Sequence, residues 1–174
     1  MGLKNMFLGT REWNELLEKL KNQQIPSPEI GSAIVKLGKP FDKGRILAAK
    51  DVVASYLNHE EPWVRREAMW FLTSWGGLQE YSRALIHALQ NDPLPDNRAY
   101  AASSLGVLFK GSKNSEAIKA LRLTLEDTNE EELVRKYAYR SLLQIAKDEP
   151  TVDFPPHERQ LSDIDWQWVT SIAV

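Results

Sequence analysis

Apolar residues recur along this chain at helical spacing, and the spacing itself repeats. Take Arg65, Arg98 and Arg135 as origins, 33 and 37 residues apart. Three residues on stand Ala68, Ala101 and Ala138; seven on, Leu72, Leu105 and Leu142; ten on, Trp75, Leu108 and Ile145. Offsets of three, seven and ten fall on one face of a 3.6-residue helix, so each copy reads as a helix with a single apolar stripe. The small alanine within that stripe lets a neighbouring helix come close. A period of this length is the mark of a helical repeat array.

Each copy owns a second helix. Val53/Leu57, Leu85/Leu89 and Leu121/Leu125 are i, i+4 pairs, each closing an amphipathic stretch. Between them and the next aligned arginine lie His59-Glu-Glu-Pro62, Asn91-Asp-Pro-Leu-Pro95 and Asp127-Thr-Asn-Glu-Glu131. Proline and acids suit the first turn of a helix, where a missing N–H costs nothing and the dipole favours negative charge. Gly76-Gly77 and Gly111-Ser112 read as C-terminal stops. Helices are thus expected at about 10–24, 28–37, 44–58, 62–75, 78–90, 96–110, 114–127 and 131–147, making four hairpins. Thr10 is the expected cap of the first, whose buried face carries Trp13, Leu16, Leu17 and Leu20.

The phrases Pro62-Trp-Val-Arg-Arg-Glu-Ala68, Asp96-Asn-Arg-Ala-Tyr-Ala101 and Leu133-Val-Arg-Lys-Tyr-Ala138 resemble the D-P-x-V-R-x-x-A core of HEAT repeats. They are most similar to the short variety also found in phycobilisome lyases. The resemblance covers residues 45–147 well and 10–44 loosely, since Ser27 stands near the expected arginine. It implies an all-α, right-handed α–α superhelix of about four helical hairpins over residues 1–147. It also implies that Arg65, Arg98 and Arg135 pair with an acid in the preceding turn. Asp127 fits that acid before Arg135, whereas His59 and Asn91 stand at the equivalent places before Arg65 and Arg98.

Residues 148–174 differ. Asp148-Glu-Pro-Thr-Val-Asp-Phe-Pro-Pro156 cannot continue a helix, because each proline removes a donor and restricts its predecessor. A last short helix then carries Trp166 and Trp168, with Ser162 and Asp165 as a start resembling a capping box. Terminal repeats need a cover, so the tail reads as a C-terminal cap; a detachable docking peptide is the alternative.

Charge and composition narrow the chemistry. With 22 basic and 24 acidic residues the net charge is −2, which leaves no field to draw the chain to a polyanion. Nucleic acid is not an expected partner. Cysteine is absent, which removes disulfides, thiolate catalysis and Cys-based zinc sites. His59, His87 and His157 are far apart, so no metal and no cofactor are expected. No stretch approaches a membrane span, no secretory apolar region opens the chain, and Met6 breaks a myristoylation reading of Gly2. A cytoplasmic protein is the expectation.

No catalytic motif appears. Gly106 to Gly111 imitates a phosphate loop, but Ser112 replaces the lysine and the segment ends a helix. The paired acids Glu60/Glu61, Glu130/Glu131/Glu132 and Asp163/Asp165 lie at helix starts or in the tail, where the dipole and solvation account for them. The three arginines are expected to be structural, each with its stem along the apolar stripe and its head on a turn carboxylate or carbonyl. Function is therefore expected on surfaces. In stacks of this kind the second helices line the concave face, and their columns read Asp51, Arg83, Lys119, then Ser55, His87, Leu123, with Arg122 beside them. Trp70 and Phe71 occupy columns held elsewhere by Ser103-Ser104 and Arg140-Ser141. They are either an exposed aromatic patch or covered by Pro40-Phe41 or the first hairpin. Trp63 is a similar candidate.

These readings converge on a non-catalytic adaptor or assembly factor that binds a partner protein of acidic or mixed-charge surface on its concave face. An immunity protein that neutralises a bacterial toxin is one alternative. Some alkylpurine DNA glycosylases have this fold and are the other, disfavoured by the absence of a basic excess.

Overall fold

A computed structural model of the chain describes residues 8–39, 41–147 and 160–172. The run 1–7 with Gly2 and Met6, Pro40, and the proline-rich run with His157 lie outside the described residues. All regular structure among the described residues is helical, and the chain forms two compact units, 1–78 and 79–174.

The first unit holds α1 (Thr10–Lys21), α2 (Ser27–Gly38), α3 (Lys43–Ala54) and α4 (Pro62–Trp70). The last turns of the helix begun by α4 widen into a π-helical segment, Phe71–Trp75. Hairpin partners α1 and α2 pack together, as do α3 and α4, while α1 packs on α3 and α2 on α4. Two layers of equivalent helices result. Buried Trp13 donates from its indole N–H to the Leu37 carbonyl at 3.0 Å, and Tyr56 from its hydroxyl to Leu20 at 2.7 Å, so the large core residues close their polar ends on helix C-termini. Gly9, not Thr10, precedes the first turn of α1, with Glu12 accepting from the Gly9 N–H.

The second unit holds α5 (Ser82–Asn91), α6 (Pro95–Leu108), α7 (Ser115–Glu126), α8 (Glu132–Ala146) and α9 (Trp166–Ser171). Here α5 pairs with α6 and α7 with α8, and the like helices α5 with α7 and α6 with α8 lie side by side. Gly111, at φ +66°, lies in the turn that leads from α6 to α7 and so joins the two hairpins. Its N–H and that of Lys113 donate to the Gln144 and Ile145 carbonyls at the end of α8, which a helix leaves without internal partners. The turn between the two hairpins therefore caps the last helix of the second one. The phosphate-loop likeness dissolves: Gly106 is buried within α6, and Gly111 is this turn.

Residues 160–172 lie against α7 and α8. Val169 and Ile164 are buried, the Asp165 N–H donates to the Tyr139 hydroxyl at 3.2 Å, and Trp168 meets Tyr139 edge to face under the Lys147 ammonium. Asp165 caps α9 by accepting from the Trp168 N–H, whereas Ser162 turns to Asp163.

Candidate functional site

The aligned arginines are spent on the fold. Arg65, only 6% exposed, donates to the His59 and Glu60 carbonyls at 2.8 and 2.9 Å. Arg98 donates to the Asp92 carbonyl at 2.8 Å and forks onto Glu130 at 2.8 and 2.7 Å. Arg135 donates to the Leu125 carbonyl at 3.0 Å. Its expected partner Asp127 instead accepts from the Asn129 N–H.

Two residues in this machinery escape a reading of the alignment. Asp92, one place after Asn91, is buried and organises its turn by accepting from the Leu94 N–H and the Asn97 amide. Glu130 ties the turn before α8 to the start of α6, and its hydrogen bonds and charge hold the Arg98 guanidinium even above its ordinary range. The signal for Asp92 was the Asp-Pro-Leu-Pro run itself, an Asx turn leading into a proline-started helix.

The exposed aromatic residues divide sharply. Trp63 is 43% exposed and Trp70 40%, but Phe71 is fully buried. The expectation that Phe71 could anchor a partner is therefore corrected. Its counterparts Ser104 and Ser141 are buried as well. They are small because α6 and α8 come close: a Cβ on Gly106 would fall 2.7 Å from Ser141 Oγ and 2.3 Å from Gln144 Oε1. A serine there reports a short interhelix distance rather than solvent. Phe71 and Phe41 both meet the Trp75 ring edge to face, at 6.0 and 5.6 Å, and Trp70 lies 6.4 Å from it. Phe41 remains exposed.

Trp63 lies across the backbone of α2, where a Cβ on Gly31 would fall 2.0 Å from its Nε1. Arg66 also sits over the ring, its guanidinium 4.7 Å from the Trp63 centroid. Beside it Glu67 is buried, and burial pushes its carboxyl above the ordinary value of 4.5 against the pull of Arg66. The repeat held a clue to Glu67: its column otherwise contains Tyr100 and Tyr137.

Asp51 is exposed on α3 in the first unit, whereas Arg83, His87, Lys119 and Arg122 belong to the second. There α5 and α7 present one surface: Arg83 reaches Glu116 across the two helices at 3.7 Å, and His87, Lys119 and Leu123 are exposed along it. Arg122 is drawn inward, donating to Glu126 at 2.7 Å and to the Ile172 carbonyl in the tail at 3.4 Å. It holds the tail as well as bordering the surface.

No helix among the described residues is long and apolar enough to cross a membrane. The family model for HEAT repeats matches residues 82–154, which begin at α5 and run past α8. No curated protein matches the chain.

Proposed function

We infer that this HEAT-repeat protein is a non-catalytic protein-interaction module, an adaptor or assembly factor working in the cytoplasm. HEAT repeats are commonly protein-interaction modules. The observation that carries the reading is the division of labour among the basic residues. The signature arginines are consumed by turn carbonyls and Glu130, while Arg83 and Lys119 stand in solvent on one α5–α7 surface. A surface of mixed charge with exposed Leu123 beside it suits a partner protein carrying acidic groups, recognised through preorganised shape and a few charged contacts.

The test is capture from native lysate with wild type and with the Arg83→Glu/Lys119→Glu pair. The pair loses the captured protein and keeps its melting temperature, because both side chains are exposed. Undiminished capture by the pair overturns the α5–α7 surface as the docking face. A single toxin enzyme captured with subnanomolar affinity would recast the adaptor as an immunity protein.

A further inference from the structure

The first unit carries a carboxylate that its own chain leaves under-partnered, flanked by two half-exposed indoles. Trp63, Arg66, Glu67 and Trp70 stand at i, i+3, i+4 and i+7 on α4, so they form one continuous stripe along the helix. A carboxylate can accept about four hydrogen bonds. Glu67 receives none from the described residues; its nearest cation is Arg66 Nε at 3.8 Å, beyond hydrogen-bond reach, although its side chain is only 10% exposed. Arg66 keeps its guanidinium over the Trp63 ring instead, 4.7 Å from the centroid. Buried carboxylates are ordinarily hydrogen-bonded, and this one shares its helix face with the half-exposed Trp63 and Trp70.

We propose that this α4 stripe is a docking site for an arginine side chain of a partner protein, whose guanidinium forks onto Glu67 between the two indoles. Charge selects the occupant: a largely buried anion whose one nearby cation stays at 3.8 Å calls for a second cation that brings several donors. Shape selects arginine over lysine. A planar guanidinium matches a carboxylate with two parallel N–H donors and stacks on indole faces, whereas an ammonium is a compact, strongly hydrated point charge. The chain already displays the mode, since Arg66 lies over the Trp63 ring at 4.7 Å. The exposed indoles also exclude water around the contact, as rims do around interface anchors. The site rests on the reading of the chain as a protein-binding module, and it names the chemistry of one contact made by such a partner.

The probe is the peptide acetyl-Gly-Ser-Arg-Ser-Gly-amide, compared with its citrulline and lysine counterparts, on the full chain. Citrulline keeps the shape of arginine and removes the charge. With six tryptophans in the chain, indole N–H signals in NMR spectra report which rings respond. The arginine peptide shifts the Trp63 and Trp70 signals at roughly millimolar concentration, and the lysine peptide acts more weakly. Citrulline does not act. Glu67→Gln weakens the response by roughly tenfold, the loss of a charge-assisted pair, without lowering the melting temperature. Trp70→Ala weakens it too, which guards against an effect of Glu67 on Trp63 packing alone. Equal shifts with citrulline, unchanged affinity in Glu67→Gln, or responses confined to the other indoles overturn the site. Lysate capture by wild type separates the two failures: a captured partner with no arginine response removes only this site, and an arginine response with no captured partner removes only the adaptor reading.

Discussion

Replacing Arg98 with alanine removes the most heavily used side chain of the repeat. Its guanidinium is only 16% exposed, its partner Glu130 12%, and the two share a forked pair at 2.8 and 2.7 Å. The substitution leaves the Glu130 carboxylate largely buried with only the Glu131 N–H donating to it, and frees the Asp92 carbonyl. Breaking a buried pair from one side costs about 3–5 kcal/mol. Partial access of water to both groups places this case at the lower end, about 3 kcal/mol, or a fall of about 6–12 °C in Tm for a chain of this length. Arg98→Lys keeps a charge but not the fork and should lose about half as much. Arg135→Ala, which forfeits one bond to a carbonyl, should cost only about 1–1.5 kcal/mol. Urea unfolding followed by circular dichroism gives the numbers, and a double-mutant cycle with Glu130→Ala should return a coupling of about 2 kcal/mol. Arg98 binds its proton more tightly in the folded chain than in the unfolded one. Its contribution is therefore complete at every pH below the unfolded value and lost only above it, so the cost should not change between about pH 6 and 9. A loss within about 0.5 kcal/mol of zero, or no coupling to Glu130, refutes the reasoning.

Two further outcomes follow from the packing of the repeat helices. Gly106→Ala should destabilise by about 1–2 kcal/mol, because the new methyl meets Ser141 and Gln144 while helix propensity returns only part of the cost; Gln144→Ala in the same chain should restore part of it, and a more stable Gly106→Ala would contradict the close approach of α6 and α8. Burial raises the Glu67 carboxyl above 4.5, so the folded chain holds that proton more tightly and wild type loses stability as pH rises through the window above that value. Glu67→Gln should melt with wild type near pH 4 and above it at pH 7, and a gap that does not widen with pH would contradict the burial of this charge.

Much of the fold was legible because helix phase depends on which positions are apolar, and that is written locally. The stripes beginning at Arg65, Arg98 and Arg135 became α4, α6 and α8, and the glycine stops became turns of positive φ at Gly77 and Gly111. The structural part of the arginines was legible for the same reason, since each sits a fixed distance beyond its turn. What the arginines bind was less so. Glu130 lies 32 residues from Arg98, and that pairing depends on how two hairpins stack. Nor could local pattern reveal that Arg122 would be drawn to the tail at Ile172.

Phe71 shows where polarity misleads. Ser104 and Ser141 in its column suggested solvent, yet all three are buried, because a serine fills the narrow space between close helices as well as it faces water. The converse then identifies what is unusual about α4. At the columns of Trp63, Glu67 and Trp70 the second unit carries Asp96, Tyr100 and Ser103, then Leu133, Tyr137 and Arg140. Tyrosine at the middle column buries a ring and keeps a hydroxyl that can reach water, whereas Glu67 buries a charge whose nearest cation stands 3.8 Å away. Large indoles at the outer columns leave apolar surface exposed where the other copies place polar or smaller groups. Each departure is unfavourable for a chain that only has to fold, and the other two copies show that the repeat can be built without them. Local rules broken together on one helix face, against two internal controls that keep them, are the pattern that a binding surface leaves.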